Sequence, residues 1–230
     1  MKIQVFTRCF DDFLFNRMRE FIPDSVQVIK CTQFNSFQGA ADYLYYVIDN
    51  AEEYAINIDI DCFIYSWDLV LEMIAKMKDD NIFYSGMPDG GVHPGRSNSW
   101  ANMNPFFNIF NAKKIRERKE KDRLSWELIS RQGFNAHWER KFKPKFISDN
   151  YNHNSTEPFA GFFYWLFANF EPMYHKAHTD TRDNLTSYLF NHKGDAFCCH
   201  TWYSRAYHED SENKARIDNL YLETVKKIKC

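Results

Sequence analysis

Ten residues constrain this chain more than any others: Tyr54-Ala55-Ile56-Asn57-Ile58-Asp59-Ile60-Asp61-Cys62-Phe63. An apolar run with β-branched residues and little alternation reads as a strand covered on both faces. It ends in two carboxylates spaced i, i+2, and a helical pattern begins at about Ser66. In a mainly parallel sheet, ligands bind at the carboxyl ends of the strands. On a regular strand Asp59 and Asp61 point to one face; if the strand breaks after Asp59, they splay around one ligand instead. Two hard oxygen donors there suit Mg²⁺ or Mn²⁺ carrying a diphosphate. The plainer reading is that Asp-x-Asp arises by chance, or that a strand-ending Asp caps the next helix. The apolar strand before and the helix after supply the context that the ligand reading requires.

The surrounding chain fits a layered α/β fold. Lys2 to Thr7 reads as a first strand, and Asp11 to Phe21 as a helix stopped by Pro23. Val26 to Cys31 is a second strand, and Asn35-Ser36 can cap a helix running to Ile48. With the aspartate strand this makes β-α-β-α-β, the pattern of a parallel sheet with crossover helices. Trp67 to Lys78 is another helix and Ile82 to Ser85 a short strand. Gly86 to Asn98, crowded with glycine and proline, predicts a long loop of the kind that carries function. Asn104 to Asn111 re-enters the core, and residues 112 to 130 read as one charged helix whose interspersed acids make it a solvated face. Residues 134 to 154 read as irregular. Thr156-Glu157-Pro158 opens an apolar helix, Ala196 to Cys199 is a late strand, and a terminal helix covers about Ala215 to Ile228. The expectation is one domain over residues 1–230, with a central sheet that is mixed, mostly parallel and flanked by helices.

Net charge of −2 and a pI near 6.4 give no nucleic-acid footprint. The six cysteines form no CxxC pair or regular framework, which points to a reduced protein. Met1 to Arg8 shows no signal-peptide core, and the densest apolar run, Phe159 to Phe170, is too short for a membrane span. A cytoplasmic protein without a transmembrane segment is expected. Aromatics make up 18% of the chain, and core packing accounts for most of them, although sugar-binding surfaces use such rings too.

With these pieces placed, the chain resembles GT-A-type glycosyltransferases that use a nucleotide sugar. The resemblance rests on Gly39-Ala40-Ala41-Asp42 leading into Tyr54 to Phe63, on the Gly86 segment with Asn104-Pro105-Phe106-Phe107, and on Phe197 to Arg205, which looks like a late His-containing segment that returns to the metal. The Thr7-Arg8 strand end and Glu157-Pro158-Phe159 also resemble small viral glycosyltransferases of the chlorovirus type. It implies a Rossmann-like GT-A fold, with residues to about 100 binding the nucleotide sugar and the rest forming the acceptor side. It also implies Mn²⁺ or Mg²⁺ as cofactor, a nucleotide-sugar donor (a UDP-sugar at the level of the family), and a glycan or other hydroxyl acceptor.

By this resemblance Asp61 binds the metal directly and Asp59 meets the ribose, the metal or both. His200 is the third protein ligand, the alternative being an ordinary strand-end histidine. Thr7 and Arg8 sit where the nucleotide is expected, and Arg205 either grips a phosphate or makes a surface ion pair. Asp89 and Arg96, in the long loop, are further candidates for donor binding. Trp202 and Tyr203 belong to the sugar site or to the core. An inverting reaction needs a base near the acceptor hydroxyl, and Glu157 is the candidate, with helix-terminus electrostatics as its other explanation. Two other function classes stay open: a haloacid-dehalogenase-like phosphatase, which also carries Asp-x-Asp at a strand end but has Thr or Val where this chain has Phe63, and a non-catalytic sugar-nucleotide or carbohydrate-binding domain.

Overall fold

The computed structural model describes residues 1–90, 99–138 and 155–229. Its first elements follow the sequence closely. Strand β1 (Ile3–Arg8) leads to helix α1 (Asp12–Arg19), β2 (Gln27–Cys31), α2 (Gly39–Asn50) and β3 (Tyr54–Ile58). Asp11 caps α1 by accepting from the Leu14 amide at 3.0 Å, and the Ser36 hydroxyl accepts from the Gly39 amide at the mouth of α2. All five residues of β3 are buried, as an unalternating apolar run requires.

The strand ends at Ile58. Asp59, Ile60 and Asp61 form a turn closed by the Cys62 amide on the Asp59 carbonyl at 3.0 Å. The chain then enters a different sheet as β4 (Cys62–Ile64) before α3 (Trp67–Asp79), which Ser66 caps. A strand covering all of Tyr54 to Phe63 is therefore corrected to two strands joined at the aspartates.

The expected loop from Gly86 is also corrected at its start. Strand β5 runs from Tyr84 to Asp89 and pairs with β6 (Ser99–Asn111), although the register is irregular between Gly86 and Asp89. At position 86 a Cβ would run into the Asn108 and Met103 side chains, which close against the strand there. The charged stretch divides into α4 (Ala112–Lys121) and α5 (Trp126–Ser130), with Arg123 at φ 53° between them. Then follow α6 (Ala160–Asn169), β7 (Pro172–Tyr174), β8 (Lys176–Thr179), β9 (Ser187–Phe190), β10 (Ala196–His200) and α7 (Ser211–Lys229), which begins earlier than expected.

Six strands form a central sheet in the order β2-β1-β3-β6-β5-β7, in which only β6 runs against the others. This is the mixed, mostly parallel sheet flanked by helices that the periodicity predicts. The sequence reading missed a second sheet, β4-β10-β9-β8, which is antiparallel throughout. One apolar cluster joins both sheets, running from Ile56, Ile58 and Phe107 to Leu189, Phe197 and Cys198. The Asp59–Asp61 turn is thus the crossing point between two sheets that share a core. Among the described residues, no helix is long and apolar enough to cross a membrane.

Candidate active site

The break after Ile58 has a chemical consequence. In the turn, the Asp59 amide donates to the Phe106 carbonyl on β6 at 2.8 Å, and the Asp61 carbonyl accepts from the Thr201 amide just beyond β10 at 3.0 Å. Antiparallel pairing of His200 with Cys62 then brings the end of β10 alongside the aspartates. His200 Nε2 lies 3.3 Å from Asp61 Oδ1, with both side chains almost wholly buried. The imidazole is stacked on the Phe106 ring, with centroids 4.1 Å apart and planes 5° from parallel.

Asp59, Asp61 and His200 each offer one ligand atom, and these atoms all lie within 4.8 Å of one another. A single divalent ion, with bonds of about 2.1 Å, reaches all three after small side-chain adjustments. His200 Nδ1 and Arg8 Nη1 are buried without a hydrogen-bond partner among the described residues. Buried polar atoms are normally satisfied, so such atoms beside a carboxylate pair fit a site that takes an ion and its anionic partner. The donor set of carboxylates and one imidazole accommodates Mn²⁺ or Mg²⁺.

The electrostatics agree. Burial pushes the Asp59 carboxyl up to about 6, with Arg8 pulling it back and Asp61 adding to the rise. Burial acts on Asp61 in the same direction, but His200 and a hydrogen bond from Ser204 outweigh it and hold the carboxyl below its usual range. Two carboxylates in one desolvated place are at odds with each other until a cation joins them.

The site opens into a cleft of about 370 Å³ whose walls include Arg8, Phe10, Asn104, Glu157, Phe159 and Arg205. The exposed rings of Phe37 and Tyr203 stand on its rim. Arg205 sits over the Phe10 ring at 4.4 Å, with both aspartates close enough to act on its charge. Arg8, Asp59, Asp61, Glu157, His200 and Arg205 are therefore gathered in one cleft from four separate segments.

Thr7 and Asp89 are placed differently. Thr7 is wholly buried and lies outside the cleft wall. Asp89 is buried at the end of β5, accepting from the Gly90 amide and from Asn102 Nδ2 and Asn104 Nδ2 at 2.9 to 3.2 Å. Of these partners, Asn104 lines the cleft. Arg96 lies outside the described residues. Phe106 and Ser204 lie in segments that carry the resemblance but have no individual role there, and nothing in the local sequence of Phe37 distinguishes it from an ordinary loop residue.

No known family profile matches the chain, and none of the curated proteins does. Among solved structures, the chain is similar to a glycosyltransferase involved in the glycosylation of the major capsid of PBCV-1. The TM-score is 0.54 with 11% sequence identity, over 96% of this chain and 100% of the other. The fold is similar to that of this glycosyltransferase. A protein of STIV is also similar, with a TM-score of 0.44 and 10% identity over 86% of this chain and 93% of that one. In this chain the Asp59-Asp61-His200 group stands where β3 of the central sheet gives way to the second sheet.

Proposed function

We propose that this protein is a metal-dependent glycosyltransferase that moves a sugar from a nucleotide-diphosphate sugar to a hydroxyl acceptor. The convergence of Asp59, Asp61 and His200 on one cation-sized space, beside Arg8 and Arg205, carries this reading. Asp61 and His200 hold Mn²⁺ or Mg²⁺, and Asp59 meets the same ion or the ribose. The bound ion supplies Lewis-acid stabilisation of the departing diphosphate. Arg8 and Arg205 face the same negative charge from the cleft wall, and Arg can grip phosphate bidentately.

Glu157 is the acceptor-side base. Its backbone is fixed just ahead of α6, where its amide donates to the Ser155 hydroxyl at 3.2 Å and its carbonyl accepts from Ala160. Glu157 is among the residues that line the cleft containing the aspartates, which supports a role in taking a proton from an entering hydroxyl. The donor is a UDP-sugar in this reading, with residues to about 100 supplying most of the nucleotide side and later residues the acceptor side. His200 to Ala206 depart from that division, since they return from the second half to complete the metal site. The five described cysteines are buried free thiols, which supports a reducing, cytoplasmic setting.

The test is turnover. With Mn²⁺, release of nucleoside diphosphate from one sugar nucleotide, abolished in Asp61→Ala and strongly reduced in Glu157→Gln, is expected. A phosphatase would instead release phosphate from simple monoesters, yet no lysine is among the described residues that line the cleft. Binding of a sugar nucleotide without turnover under any acceptor would leave a binding domain.

A further inference from the structure

Immediately beyond His200, two consecutive non-glycine residues hold left-handed backbones: Trp202 at φ 64° and Tyr203 at φ 56°. A Cβ makes this region unfavourable, and such residues persist where the surroundings over-determine them. Here the surroundings include the buried Trp202 ring, whose centroid is 4.4 Å from that of His200 and whose Nε1 donates to the Ser187 hydroxyl at 2.9 Å, and two side chains of α7. Arg216 donates through Nη1 to the Thr201 carbonyl and through Nη2 to the Trp202 carbonyl, the latter at 3.0 Å. Asn213 donates through Nδ2 to the Tyr203 carbonyl at 2.8 Å, and its Oδ1 accepts from Arg216 Nη2. Three successive carbonyls are therefore held by one interlocked pair.

The segment so held runs straight into the candidate metal site, because the Thr201 amide is bound to the Asp61 carbonyl. Tyr203 lines the cleft and is 56% exposed. Glycine would adopt the same backbone without strain.

We propose that Arg216 and Asn213 are positioning residues: their fork holds the left-handed Trp202–Tyr203 turn, which sets His200 against Asp61. This rests on the reading of His200 as a metal ligand. Neither α7 residue touches the cleft, and an Arg216 with a merely structural role would steady α7 while leaving His200 unmoved.

The experiment follows two properties of Arg216→Gln, Asn213→Ala and Tyr203→Gly in the full chain: the ring C–H resonances of His200, shifted by the stacked Phe106 ring, and the affinity for Mn²⁺ alone. Arg216→Gln is expected to move the His200 resonances toward unstructured values and to weaken Mn²⁺ binding roughly tenfold, as loss of outer-sphere support does. Tyr203→Gly is expected to relieve the left-handed backbone strain and to recover part of the stability lost in Arg216→Gln when the two are combined. A folded Arg216→Gln with unchanged His200 resonances and unchanged Mn²⁺ affinity overturns the proposal, whatever its melting temperature. If Arg216→Gln does not fold, Asn213→Ala is judged by the same two readouts. If the wild type binds no Mn²⁺, the metal reading fails, and the His200 resonances alone decide whether the fork positions that ring.

Discussion

Phe106 holds two candidate metal ligands at once. Its carbonyl accepts the Asp59 amide at 2.8 Å, and its ring lies flat against His200 with centroids 4.1 Å apart. A single residue of β6 thus ties the turn after β3 to the end of β10, joining the two sheets at the point where the carboxylates meet the imidazole.

Replacing Phe106 with Leu separates these roles, since the carbonyl stays and the stack goes. A fully buried aromatic of this kind contributes about 0.5–1.5 kcal/mol through its ring pairing beyond area burial, and the shape change adds about 1 kcal/mol. Phe106→Leu is expected to lower stability by roughly that sum and to weaken Mn²⁺ binding about tenfold. Urea unfolding and a manganese titration check both. Unchanged affinity in the Leu variant would show that the stack does not orient His200.

Stability is expected to depend on His175 at mildly acidic pH. This ring is buried, with Nε2 3.1 Å from the Ser85 hydroxyl and its edge against Phe107 and Phe197. Burial drops its pKa from 6.5 to about 3. The unfolded chain takes up a proton below pH 6.5 while the folded chain does not. The stabilising effect is therefore complete above 6.5 and is lost as pH falls toward 3, at about 1.4 kcal/mol per pH unit. Between pH 7 and pH 5 the wild type should lose about 2 kcal/mol that His175→Gln does not, as read by urea unfolding at the two pH values. Equal losses in both proteins would contradict this.

Gly161 is expected to tolerate no side chain. A Cβ there would fall against the Ser130 carbonyl at the end of α5, where α5 packs on α6. Backbone cannot move aside as a flexible side chain can, so Gly161→Ala should cost about 1–3 kcal/mol despite alanine's better helix propensity. Thermal unfolding gives the sign directly, and a more stable variant would contradict the packing described.

Much of the nucleotide half was legible because its signals are local. The buried strand, the helix starts at Asp11 and Ser66, the Ser36 cap and the two aspartates all lie within short windows of sequence. His200 was reachable only by resemblance, and its position depends on β10 pairing antiparallel with Cys62–Ile64, a contact between residues far apart in the chain. The second sheet escaped notice for the same reason, since its strands are three to five residues long and alternate weakly. Gly86 read as a loop because glycine and proline usually punctuate chains, whereas here the glycine lets Asn108 and Met103 close against β5. The left-handed turn at Trp202–Tyr203 leaves no mark in composition, because the residues that hold it sit on α7.

Calorimetric titration of UDP, with and without Mn²⁺, into the wild type and Asp61→Ala tests the central claim most directly. The account predicts binding that requires the metal in the wild type and is absent from Asp61→Ala, although the variant remains folded. Binding that is equally tight without metal, or that survives Asp61→Ala, would contradict a site in which Asp59, Asp61 and His200 hold the cation that receives the diphosphate.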